Sequence, residues 1–149
     1  MDTYSEHHLT PEILLDSLDA MVYAVDPDTH EMLFLSRAGR ERIPDVVPGR
    51  KCWETLQSGM KGPCPFCPLP AMRRTGSRPS EVHRWVQRNT ATGADWDCRS
   101  RLVPRSDGRT IHLVVATDAT EASRARDALV EAQRIAQVEI GRASCRERV

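Results

Sequence analysis

Residues 80 to 118 read SEVHRWVQRNTATGADWDCRSRLVPRSDGRTIHLVVATD, and their hydrophobic pattern has a period of two. In SEVHRWVQR, Val82 and Val86 share one face while His83 and Trp85 share the other. After the turn NTATGAD, the segment DWDCRSRLV puts Trp96, Cys98, Ser100 and Leu102 on one face and Asp97, Arg99 and Arg101 on the other. PRSDG is a second turn, and RTIHLVVATD is a last strand. Side chains alternate across a strand, so three such segments joined by glycine-containing turns predict an antiparallel meander.

Working outward toward the N-terminus, AMVYAVD and EMLFLSR form a strand pair, with Asp26, Pro27 and Asp28 making the turn between them. Ahead of them, LTPEILLDSLDA offers Thr10 as a helix N-cap and Pro11 at the first helical position, with apolar Ile13, Leu14 and Leu18 at helical spacing. Between hairpin and meander lie AGRERI, ended by Pro44, and RKCWETLQ, where Trp53 and Leu56 sit three apart. Both are short helix candidates. The loop KGPCPFCPLP follows, and LPAMRRTG is a last turn stopped by Gly76. Two strands, short helices and three strands imply one mixed sheet covered by helices on one face, an α+β fold.

Working toward the C-terminus, EASRARDALVEAQRIAQVE is a run of good helix formers over residues 121–139. Ala122, Ala125, Leu129, Ala132 and Ala136 step by three and four, a heptad seam over two repeats that reads equally as a parallel dimer contact or as a flanking surface helix. The final IGRASCRERV, residues 140–149, has the look of a translated cloning adapter, which makes Cys145 non-native and implies a gene cut short of a downstream module.

Bulk properties argue against several classes. The 149 residues suit one domain, and 21 basic against 21 acidic side chains supply no field to recruit nucleic acid or an anionic membrane. No apolar run approaches the ~20 residues of a membrane helix. The N-terminal MDTYSEHHLT, whose first nine residues read as a flexible lead, is not a signal peptide. A cytoplasmic location with reduced thiols is the resulting expectation.

The order of elements resembles a PAS sensory domain, and the local text agrees. VYAVDPDTHEMLFLSRAGRE is similar to the PAS opening, PGRKCWETLQ to the helix of one bacterial PAS group, and GPCPFC to the Cys-Pro-x-Cys that follows it there. VVATDAT before a polar helix resembles the Asp-x-Thr exit motif, here Asp118 and Thr120. The resemblance spans residues 10 to 139 and implies a PAS-like five-stranded antiparallel sheet over residues 10–120, with short helices on one face and a signalling helix at 121–139. It implies that Asp118 and Thr120 transmit strain from the core to the helix; a Thr or Asp oxygen can also cap the orphan amides there. Tyr23, Phe34, Trp53, Trp85 and Trp96 are the ligand-facing candidates, each equally able to serve as core. No haem or flavin signature is evident, and His83 and His112 read as ordinary strand-face histidines.

Cys64 and Cys67 admit three readings beside a structural disulfide, which a reducing cytosol disfavours. Cys-x-x-Cys is half of a zinc site, which Cys52 and either Cys98 or His83 could complete. The pair could instead switch redox state, although a glutaredoxin-type enzyme is rejected because LQSGMKGP is no buried strand and Pro68 and Pro70 delay any helix. The third reading is a proline-stiffened connector whose cysteines pack as small hydrophobes. Functionally, the resemblance implies a non-catalytic input domain for a ligand or redox signal. Its partners would be its own C-terminal effector, a histidine kinase or diguanylate cyclase, and a second copy through the exit helix. A thiol redox or zinc module is the rival.

Overall fold

Thr10 opens the first element as expected: its hydroxyl accepts from the Ile13 amide at 3.4 Å, and helix α1 runs Pro11–Asp16. The computed structural model describes residues 10–47, 49–76, 78, 79 and 81–146, with side chains through residue 141. The expected flexible lead at 1–9 and the end of the expected tail at 147–149 lie outside the described residues.

Strands β1 (Met21–Val25) and β2 (Met32–Leu35) form the hairpin, followed by α2 (Arg37–Arg42), α3 (Cys52–Leu56) and α4 (Leu69–Arg74). The meander comprises β3 (His83–Arg88), β4 (Asp95–Pro104) and β5 (Thr110–Asp118). Gly93 and Gly108 take φ of 72° and 79° in its two turns, a conformation cheap only for glycine. All five strands join one sheet in the order β2-β1-β5-β4-β3, and every pairing is antiparallel. The mixed sheet expected from element order alone is thus corrected: the chain crosses from β2 to the far edge and works back, so β5 meets β1 head to tail.

The core sits on one face of this sheet. Tyr23 and Val25 of β1, Trp96 and Cys98 of β4, and Val114 and Ala116 of β5 cluster there beneath Leu56 of α3. Met72 of α4 is fully buried, with its sulfur 3.8 Å from the Ser100 hydroxyl. On β3 the half-buried face is His83, Trp85 and Gln87, and Val86 points outward at 54 % exposure. The opposite face of β3 packs toward the core, so Val86 and the preceding Val82 lose the burial that their hydrophobicity alone would favour.

Helix α3, only five residues long, is held at both ends by the sheet's turns. At its start the Cys52 amide donates to the His30 carbonyl at 2.8 Å, and Glu31 bridges Lys51 in antiparallel fashion. The Asp26 carboxylate rigidifies that turn by accepting from the Asp28 and Thr29 amides at 2.8 and 3.0 Å. Arg73 of α4 reaches the same turn, donating to the Pro27 carbonyl and to Asp28. At the far end, buried Asn89 donates to the Leu56 carbonyl at 2.6 Å and accepts from the Ala91 and Thr92 amides at 2.9 Å. Gln57 accepts from the Thr90 amide and hydroxyl at 2.9 Å.

The chain divides into two compact units after Asp118. The second contains α5, Thr120–Arg146, 27 residues long. It continues past residue 139 through most of the expected tail, because no proline interrupts a run of good helix formers. The seam residues Ala122, Ala125, Leu129, Ala132 and Ala136 are all exposed on this unit.

Asn89→Ala should lower the unfolding free energy by about 2–4 kcal/mol, since it strands a buried carbonyl and two amides at once. Urea denaturation compared with Thr92→Ala, a neighbouring turn substitution, checks this.

Candidate functional site

A cavity of ≈ 50 Å³ lies between the inner sheet face and its helical cover. A water needs ~10–15 Å³ by this measure, so the space holds about three to five. Its floor is Tyr23 and Val25 of β1, His112 of β5, and Trp85 and Gln87 of β3. Its roof is Cys52 and Leu56 of α3, the adjoining Gln57, the loop residues Cys64, Phe66, Cys67 and Pro68, and Leu69 of α4. Register explains the floor: Val25 pairs with His112, while Trp85 and Gln87 stand two apart on one face of β3.

Among the described residues no Asp, Glu, Lys or Arg lines the cavity. Three of its polar atoms, His112 Nε2, Trp85 Nε1 and Gln87 Oε1, are buried without a hydrogen-bond partner among the described residues. Burial, with smaller contributions from His30 and His83, lowers the His112 pKa to about 4. Burial also pushes the Cys52 thiol up to about 12 and Cys64 to about 11, each reinforced by neighbouring cysteines. Cys67 is raised by burial too, partly offset by the Leu69 amide and Arg73. At neutral pH the cavity therefore presents thiols and a neutral imidazole.

Of the five aromatic candidates, the structure brings Tyr23 and Trp85 into this cavity. Trp96 is buried in the core with the Arg42 guanidinium 5.7 Å from its ring centre. Trp53 is half-buried and tilts against His30, ring centres 5.1 Å apart. Phe34 is 39 % exposed and lines a separate depression with Leu33 and Arg40, because the β1–β2 register sets it beside Ala24 rather than Tyr23.

The cysteine set divides likewise. Cys52, Cys64 and Cys67 share the cavity wall, whereas Cys98 is outside it, within 3.8 Å of the Gln87 amide nitrogen, and its thiol is raised to about 12 mainly by burial. His83 lies 3.7 Å from Glu81 and does not line the cavity. Among the described residues no group of three or more His, Cys, Asp or Glu side chains could hold a metal ion, so the arrangement does not fit the expected zinc set. A reactive dithiol needs a lowered thiol pKa, and here the pKa values move the other way. Asp118 closes β5 opposite Trp96, and Thr120 is the first residue of α5.

Gln57, Phe66, Gln87 and His112 were not singled out as site residues by sequence. For His112 a signal existed: it alternates in step with Val114 and Ala116, the buried face of β5.

No family model matches the sequence, and no curated protein is significantly similar to it. Solved structures are similar in fold. An RNA-binding light-oxygen-voltage receptor matches at 18 % identity with a TM-score of 0.63, covering 91 % of this chain and 40 % of that one. The chain thus spans about two fifths of that receptor's length. The PAS domain of an HTR-like protein from Haloarcula marismortui matches at 13 % identity with a TM-score of 0.51, covering 72 % of this chain and 87 % of that one. The fold is therefore that of a PAS domain, a five-stranded antiparallel sheet with short helices and a C-terminal helix. Among the described residues no helix is long and apolar enough to cross a membrane.

Two outcomes follow. Unfolded histidine takes its proton near pH 6.5 and folded His112 only near 4, so the unfolded state binds more protons between those values and stability falls as pH drops through them. His112→Gln should remove about 3 kcal/mol of that decline, read from urea unfolding at pH 7, 5.5 and 4. In the native chain, Cys52 and Cys64 should react with a thiol reagent at pH 7 at least about tenfold more slowly than in urea, since only the thiolate attacks; mass spectrometry of labelled peptides measures this.

Proposed function

We propose that this chain is the sensory input domain of a bacterial signalling protein, itself without catalysis, that couples occupancy of its core cavity to an effector such as a histidine kinase or diguanylate cyclase. The observation that carries this reading is the cavity itself. It lies within a PAS fold, and its floor includes β5, the strand that ends at Asp118 immediately before the exit helix. A ligand that spreads or draws together β5 and its neighbours changes the strand end from which α5 departs. The apolar seam from Ala122 to Ala136 suits pairing with a second copy, which would carry such a change as a shift of helix register. A cytoplasmic location follows from this role.

The thiol redox alternative has one supporting observation: the Cys67 amide donates to the Cys64 carbonyl at 3.0 Å, a turn that holds the two cysteines close. Their raised pKa values make it the lesser reading.

In the full-length protein, Asp118→Ala should leave the domain folded and abolish the signal-dependent change in effector output. Unchanged regulation in a folded variant would sink the proposal. Circular dichroism and an effector activity assay provide the two readouts.

A further inference from the structure

We infer that the cavity takes a small uncharged molecule with an apolar body and an adjacent hydrogen-bond donor and acceptor, the chemistry of a lactam or an azole. The inference rests on the sensory reading and specifies what is sensed. Three buried polar atoms of one cavity lack partners among the described residues: the Trp85 Nε1 donor, the Gln87 Oε1 acceptor and His112 Nε2. Buried polar groups are almost always satisfied, and an orphan carries a desolvation cost. Grouped around one cavity, they mark groups that a ligand or water completes.

The pattern is specific. Trp85 and Gln87 stand two residues apart on the same face of β3, so an N–H and a C=O are presented side by side. Gln87 is oriented by its own amide nitrogen, which lies 3.8 Å from the Cys98 sulfur, leaving Oε1 for the cavity. A carbonyl or pyridine-type nitrogen answers Trp85, and a neighbouring N–H answers Gln87. His112, 4 % exposed, meets a further polar edge from β5. Charge is excluded because among the described residues no Asp, Glu, Lys or Arg lines the wall, and an unpaired ion in an apolar site carries a large desolvation cost. The ≈ 50 Å³ volume limits the ligand to a single small ring.

The test titrates the intact chain with 2-pyrrolidinone, pyrazole, benzene and acetate while recording amide and indole N–H resonances. The Trp85 indole signal is assigned by its loss in Trp85→Phe. Saturable shifts of that signal with pyrrolidinone or pyrazole, and none with acetate, are expected. Gln87→Leu and Trp85→Phe should each weaken lactam binding up to about tenfold, the worth of one neutral hydrogen bond. Three results would overturn the inference: benzene binding as tightly as the lactam, lactam affinity unchanged in both folded variants, or no probe shifting the indole signal, which leaves water as the occupant. All of these read binding alone, so they fail or succeed separately from the Asp118→Ala output assay.

Discussion

The attachment of α3 to two turns of the sheet is the constraint on which the rest of this fold depends. Five residues are too few to be helical by themselves, because nucleation costs more than so short a helix returns. The segment is helical because the His30 carbonyl accepts from its first amide and the Asn89 side chain donates to its last carbonyl. Those two turns lie at different places on the sheet, so α3 bridges it like a strap. The space between strap and sheet becomes the cavity, and the cysteine loop that follows is placed over it.

That geometry explains why a wall rich in ionisable types behaves as a neutral one. His112, Cys52, Cys64 and Cys67 would offer a metal or redox site if solvated or set beside charges. Here burial dominates each of them, lowering the imidazole and raising the thiols, so all four are uncharged at pH 7. The cysteine loop acts as a lid, stiffened by its prolines and contributing Phe66 and two thiols to the roof.

Much of this architecture was readable as text. The alternation from Val82 to Asp118, the Asp-Pro-Asp turn and the Thr10-Pro11 start each state a local preference that the fold respects. The order of elements and the junction motif carried the PAS resemblance. Less was legible at the site. Of five aromatics, only Tyr23 and Trp85 face the cavity; sequence marks all five as large and apolar but does not say which layer each enters. Cys98 looked like a fourth ligand for the loop because spacing says nothing about depth, and β4 carries it into the core below.

Sequence by itself determined the strands, their turns and the capped start of α1, since period, capping and glycine positions act within a few residues. It also set the absence of charge on the alternating His112, Val114 and Ala116 face. Only the tertiary structure decided which face of each strand is inside. On β3 Val86 faces outward and Trp85 and Gln87 inward, because strand order and the strapped α3 put the helical layer on that side. A period of two is blind to that choice, and the cavity exists only once it is made.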